Sequence, residues 1–250
     1  MRIAVIIPTR NEAANLPRTV QRIRAADDCP RDLRIVVSDC QSDDDTISVA
    51  RDLHCDVIAD RRVVGRGDAL HAGVASIGTD ADVLWFVHAD TLVPRTAFTA
   101  LRQALADEHT VGGAFTFAWS LDAVRWLDRQ LLRAVTVGNR VRYRITRHYF
   151  GDQAIFVRRE ALERIGGMPK QALLEDVELC RRLKRIGRLI ARPEPAFTSP
   201  RRYVDQGVIR ELIRDCSLLA ADRLSIRPVR SWASYNEWNA ALASPTSSSS

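Results

Sequence analysis

Arg2-Ile-Ala-Val-Ile-Ile-Pro-Thr-Arg-Asn-Glu12 is a short run of apolar, mostly β-branched residues that ends in a proline and a cluster of polar groups. The pattern predicts a buried strand followed by a helix, because Leu16, Val20 and Ile23 then recur on one helical face. The unit repeats along the chain. Residues 33–38 read as a second strand before a helix opening near Ser42, where the Asp43, Asp44 and Asp45 carboxylates suit the positive end of a helix. Residues 57–59 read as a third strand with a helix over 67–77, and 83–87 as a fourth strand, apolar on both faces as expected when both are covered. Alternating strands and helices predict an α/β fold with a mostly parallel central sheet flanked by helices.

Beyond Asp90 the alternation breaks. The pattern predicts a helix over 96–106, an extended segment over 112–119 and an amphipathic stretch over 121–135 carrying Trp126, Leu127 and Leu131. A strand over 153–157, a short helix over 159–165 ending at Gly166 and Gly167, and a helix over 175–186 ending at Gly187 follow. Pro193 and Pro195 punctuate the chain before a last helix over 208–224, and residues 244–250 form a low-complexity tail expected to be disordered.

Composition narrows the partners. With 250 residues, 46% of them apolar, the chain has material for a sizeable core. Lys and Arg number 37 against 31 Asp and Glu, and the excess sits mainly between Arg125 and Arg230, so an anionic partner is expected. Nucleotide diphosphates and acidic lipid head groups both fit. Nucleic acid is disfavoured, since the basic residues lack interleaved aromatics or a recognised binding module. Cys29, Cys40, Cys55, Cys180 and Cys216 are odd in number and scattered, which suggests neither a disulfide framework nor a zinc site and points to a reducing, cytoplasmic setting. No secretory pattern opens the sequence and no apolar run reaches the ~20 residues of a bilayer span, so a soluble or peripheral protein is expected.

In open parallel sheets ligands bind beyond the carboxyl ends of the strands. The polar residues just after the four strands are therefore the candidates: Pro8, Thr9, Arg10, Asn11 and Glu12; Asp39; Arg66 and Gly67; His88 and Asp90. Taken singly each is more ordinarily a turn or cap residue, but together they converge on one edge. Asp39 has the chemistry to accept from the imide nitrogen of uracil, and Arg66, flanked by glycines, to approach a diphosphate closely. Asp90, with His88 two residues earlier on the same side of an extended chain, suits a divalent ion bridging diphosphate oxygens. Glu175 and Asp176 open a helix, where a carboxylate either complements the dipole or serves as a general base.

Six segments in order resemble family 2 glycosyltransferases. They are Val5-Ile-Ile-Pro-Thr-Arg-Asn-Glu12, Val37-Ser-Asp-Cys-Gln-Ser-Asp-Asp-Asp-Thr46, Gly65-Arg-Gly-Asp-Ala-Leu-His-Ala-Gly73, Val87-His-Ala-Asp-Thr91, Gly151-Asp-Gln-Ala-Ile-Phe-Val-Arg158 and Leu174-Glu-Asp-Val-Glu-Leu-Cys-Arg-Arg-Leu183. The chain looks most like the bacterial subgroup with His-Ala-Asp-Thr and Gly-Asp-Gln motifs, of the type associated with radical-SAM and selenium-domain genes. The resemblance implies a GT-A fold over residues 1–205, with a nucleotide-binding half over 1–95 and an acceptor and catalytic half over 96–205. Residues 206–243 would then be a helical extension. It further implies a nucleotide diphosphate sugar donor, most often UDP-linked, a divalent cation (Mn²⁺ or Mg²⁺) and inversion at the anomeric carbon.

Carried over by motif, Pro8, Thr9, Arg10 and Glu12 line the nucleotide pocket, Asp39 meets the base, and Arg66 and Gly67 lie near the ribose or diphosphate. His88, Ala89 and Asp90 form the metal motif, Asp176 is the base beside Glu175, and Gly151, Asp152 and Gln153 shape the acceptor side. The chain departs from the family at three places. His88-Ala-Asp90 replaces Asp-x-Asp, His71 stands at a common Asn position, and Cys40-Gln41 replaces Asp-Gly. Two other readings compete with a transferase: a sugar-phosphate nucleotidyltransferase, disfavoured by the lack of a glycine-rich, lysine-terminated loop, and a catalytically degenerate nucleotide-binding protein. Arginines at 129, 133, 140, 142, 144 and 147 accompany the apolar residues of 125–148. Such a segment suits a peripheral anionic membrane contact, and with it a lipid-linked acceptor, or equally a buried helix with a phosphate-binding loop.

Overall fold

In a computed structural model, which describes residues 1–27, 33–122, 124–170 and 174–223, the chain forms one eight-stranded sheet covered by helices. Cys29 and the tail over 244–250 lie outside the described residues. The elements are β1 (Ile3–Thr9), α1 (Leu16–Ala26), β2 (Leu33–Asp39), α2 (Thr46–Asp52), β3 (Asp56–Ile58), α3 (Arg66–Ile77), β4 (Val83–Phe86), β5 (Thr91–Leu92) and α4 (Ala97–Ala104). They continue with β6 (Thr110–Trp119), α5 (Trp126–Thr146), β7 (Phe156–Arg158), α6 (Arg159–Arg164), α7 (Glu175–Leu183), β8 (Arg188–Thr198), α8 (Arg201–Gln206) and α9 (Val208–Arg223). The strand order is β3-β2-β1-β4-β7-β6-β8-β5. β7 and β5 run against the others, so the sheet is mostly parallel as expected.

Alternation along β1 sorts the core into two layers. Ile3, Val5 and Ile7 face α1 and α4, meeting Leu16, Val20, Phe98 and Leu101. Ala4 and Ile6 face the other side, in the layer that holds Leu70 of α3, Leu132 of α5 and Leu179 of α7. Both faces of the sheet are thereby buried, which places the polar residues at the strand ends on the one open edge.

Four elements differ from the sequence expectation. β8 occupies the segment punctuated by Pro193 and Pro195, pairing in parallel with β6 through a shift between Phe115 and Thr116, opposite Arg192 and Pro195. Prolines are tolerated there because they sit in a bulge and because β5 meets only Phe197 and Thr198 on the other side. The strand read over 153–157 begins at Phe156, since Gly151–Gln153 form a 3-10 turn. The helix placed near Ser42 starts at Thr46; before it, Asp44 accepts from the Ala13 amide and the Asp43 amide donates to Asn11 of the neighbouring loop. The amphipathic stretch becomes the 21-residue α5, shifted toward the C-terminus.

β6 packs so closely on its neighbours that a Cβ at Gly113 would lie 2.3 Å from the carbonyl oxygen of Ile190 and 2.8 Å from Cζ of Phe156. Gly113→Ala should therefore cost about 1–3 kcal/mol, as overpacking does. Gly138→Ala in α5, where a Cβ meets nothing within 4 Å, should leave stability unchanged or raise it by up to ~1 kcal/mol. Equal melting temperatures for the two variants by circular dichroism would contradict this packing.

Candidate active site

The loops after β1 and β2 are locked together. Thr9 Oγ1 donates to Asp39 Oδ1 at 2.9 Å, Ser42 donates through its hydroxyl at 2.6 Å and its amide at 2.8 Å to the same carboxylate, and the Cys40 amide donates to the Thr9 carbonyl. The amides of Asn11, Glu12 and Ala13 donate to Ser42, Thr46 and Asp44. Asn11 and Gln41 hold positive φ within these loops, an uncommon conformation that concentrates at functional sites. Asp39 is buried and engaged within its own loops, so its placement is that of a loop organiser at the strand end. Arg10 is exposed, and Glu12 accepts from Asn15 and from Arg201 at 2.8 Å.

Arg66, the first residue of α3, extends its guanidinium across the sheet edge to the start of α7. Nε donates to Glu175 Oε1, Nη2 lies 3.3 Å from Asp176 Oδ2, and Nη1 lies 3.5 Å from His88 Nε2. Glu175 is only 1% exposed. Burial pushes its carboxyl up while the charge of Arg66 opposes the rise. Burial and then the Arg66 charge lower His88 to about 3, so the ring is neutral. Asp176 accepts from the Gly151 amide at 2.9 Å through Oδ2 and from the Val177 amide at 2.8 Å through Oδ1. Gly151 is required by crowding: a Cβ there would stand 2.2 Å from His88 Nε2. Leu174 and Ala154, flanking these residues, both take positive φ.

Asp90 lies where two cavities meet. Its carboxylate receives the Thr198 hydroxyl at 3.4 Å, and burial followed by the charge of Glu12 raises it to about 6. The His88 imidazole Nε2 faces the Arg66 guanidinium and Gly151. No group of three His, Cys, Asp or Glu among the described residues is placed to hold a metal ion. Among the described side chains, Asp90 is met only by that long hydroxyl contact, and it faces both cavities.

The larger cavity, of about 690 Å³, has one charged end and one apolar end. Arg66, His88, Asp90, Asp152, Asp176 and Arg202 line the first, and side chains of α5 and α9 line the second. Asp152 reaches the cavity with Oδ1 buried and unpartnered among the described residues, while Gln153 turns away and donates to the Phe115 carbonyl at 3.1 Å. Arg142 stacks 3.8 Å above the Phe150 ring. Arg202, Thr198 and Tyr203 were missed by sequence reasoning. They follow a strand end, as the other candidates do, but the two prolines disguised β8. Gly67 and Ala89 are buried backbone neighbours of the site, and Pro8 and Thr9 are buried at the end of β1.

The sequence model of glycosyl transferase family 2 matches residues 4–166. No curated protein matches the chain. Among solved structures, a mannosyltransferase of Pyrobaculum calidifontis, in complex with GDP-Man and Mn²⁺, is similar with a TM-score of 0.64 at 21% identity, over 78% of this chain and 56% of its own. The S. aureus protein TarS, residues 1–349, gives 0.61 at 16% identity, over 80% and 61%. Glucosyl-3-phosphoglycerate synthase of Mycobacterium tuberculosis, in complex with Mn²⁺, UDP-glucose and phosphoglyceric acid, gives 0.56 at 20% identity, over 78% and 70%. The chain thus spans less than two thirds of the length of the first two, and these likenesses speak to the fold.

Asp152 offers a pH test of the site. Burial and then the Asp176 charge raise its carboxyl from 3.8 to about 7. The folded state therefore holds the proton more tightly than the unfolded chain, and this contribution, complete below about pH 3.8, is lost as pH rises toward 7. Asp152→Asn removes it. The melting temperature of the variant relative to wild type should climb between these pH values and level off above them. A difference independent of pH in scanning fluorimetry would contradict the placement of Asp152.

Proposed function

The chain belongs to glycosyl transferase family 2, and from that membership we propose that it moves a sugar from a nucleotide diphosphate donor, UDP-linked by preference, to an acceptor hydroxyl with inversion. The observation that carries this reading is the Arg66–Glu175–Asp176 cluster facing the cavity beside Asp90. It brings a cation for a departing diphosphate and a carboxylate for an arriving hydroxyl to one place.

Asp176 is the base in this reading. Its carboxylate is oriented by the Gly151 and Val177 amides and by Arg66, so its remaining lone pairs are aimed without a reorganisation cost. The acceptor oxygen forms its bond to the anomeric carbon as the bond to the diphosphate oxygen breaks on the opposite face. The hydroxyl proton passes to Asp176, and the electron pair leaves with the nucleotide diphosphate. Arg66, fixed by Glu175, offsets the charge that develops there. Asp152 lies beside the acceptor path, and the loops holding Thr9, Arg10, Glu12 and Asp39 shape the nucleotide end.

A divalent cation fits the donor set at Asp90, whose half-buried carboxylate makes one long hydroxyl contact, and not at His88, whose Nε2 is turned to Arg66. Held by Asp90, Mn²⁺ or Mg²⁺ would supply Lewis-acid stabilisation of the leaving group. The Mn²⁺ complexes of the Pyrobaculum and Mycobacterium proteins support a divalent cation in this reading.

Incubation with UDP-sugars and Mn²⁺, with GDP-sugars in parallel, should give slow donor hydrolysis. Asp176→Asn should lower turnover by about 10²–10⁴, the usual contribution of a general base, while UDP affinity changes little. Turnover retained in Asp176→Asn and lost in Asp152→Asn would move the base to Asp152.

A further inference from the structure

We propose that the outer face of α5 docks on an anionic membrane surface and holds the mouth of the large cavity against it. The apolar end of that cavity then receives the aliphatic chain of a lipid-borne acceptor, a step that rests on the transferase reading.

Helical spacing builds the docking face. Leu127, Ala134, Val141 and Ile145 fall on one side of α5, joined by Trp126 and Val137. Trp126 is 72% and Ile145 77% exposed, unusual values for residues that end a 21-residue helix and that burial would favour. Arg133, Arg140, Arg144 and Arg147 are exposed along the edge of the strip, and Asp128 is the one acid of the helix. An apolar strip bordered by arginines, with an aromatic residue at one end, is the pattern of a helix lying in the plane of an anionic interface. No helix among the described residues is long and apolar enough to cross a membrane, so contact is with the surface.

The cavity supplies an independent observation. Ala134 and Gly138 of α5 and Ile209 and Leu212 of α9 are exposed and also line it, so its mouth opens beside the strip. Leu131, Val135, Val208 and Leu218 continue the apolar lining inward, toward Asp152 and Asp176. A water-soluble acceptor would have no use for that lining, whereas an aliphatic chain would.

Charge selects a bilayer over a second copy of the chain as the occupant. Stacking two α5 faces would set rows of arginines against each other with a single acid per helix to offset them. Anionic head groups neutralise the same rows.

Flotation with phosphatidylglycerol–phosphatidylcholine vesicles tests the proposal. Wild-type protein should float with them at low salt, float weakly with phosphatidylcholine alone, and release as salt rises. Val141→Glu with Ile145→Glu, and separately Arg140→Glu with Arg144→Glu, should each lower vesicle binding at least tenfold. Neither pair lines the cavity, so donor hydrolysis in the absence of vesicles should match wild type. That readout separates failure of docking from failure of the transferase reading. Wild type indifferent to anionic vesicles, equal binding to neutral ones, or undiminished binding by both variants would overturn the proposal. So would a wild-type dimer in sedimentation that the glutamates dissociate, or binding that appears only after removal of residues 224–250.

Discussion

The Arg66 guanidinium is the contact on which the geometry of the site depends. Its three nitrogens are turned to Glu175, Asp176 and His88, groups contributed by the start of α7 and by the segment after β4. Burial at the helix start pushes the Glu175 carboxyl up, and the Arg66 charge beside it opposes that rise. Breaking such a pair by removing one partner typically costs about 3–5 kcal/mol, because a charge is left buried without compensation. Burial, and after it the same cation, lowers the affinity of His88 for a proton and so keeps the imidazole neutral in a crowded place. Gly151, which has no side chain to strike that ring, can then donate its amide to Asp176.

Much of this was legible in the sequence because the parallel half of the sheet obeys local rules. The 2–12 stretch and its repeats give strands whose ends must carry the ligand-facing groups, and Arg66, Asp90, Glu175 and Asp176 do line or adjoin one cavity. What was hidden depended on tertiary context. The two prolines of β8 are harmless only because of a bulge and a short neighbour, facts no local pattern contains. Asp39 reads as a base contact, yet Thr9 and Ser42 engage it, since a short carboxylate after a strand is also the natural clasp for the next loop. His88 reads as a metal ligand beside Asp90, and no local pattern announces that Arg66 of α3 lies 3.5 Å from its Nε2.

The cavity joins two chemistries that rarely coexist by accident. Its charged end has acids and arginines in near balance, and its other end is walled by the apolar sides of α5 and α9. Trp119 ties these walls to the sheet: its indole donates to the Leu132 carbonyl at 3.1 Å, and its ring meets Tyr203 edge-on at 5.0 Å. Arg202 in turn joins α8 to Glu211 and Asp215 of α9. The floor and walls are therefore fixed to β6, whereas Ala134, Gly138, Ile209 and Leu212 at the mouth are exposed. Such a division suits a site whose chemistry must be rigid and whose entrance must admit a chain.

The most direct test of the central role given to Arg66 is a calorimetric titration of UDP, with Mn²⁺ present, into wild type and Arg66→Lys. Lysine keeps the charge that Glu175 needs but loses the planar fork that addresses several oxygens at once. A folded variant whose affinity for UDP falls by roughly tenfold or more, about 1.4 kcal/mol, is the predicted result. A folded variant that binds UDP as tightly as wild type would contradict it.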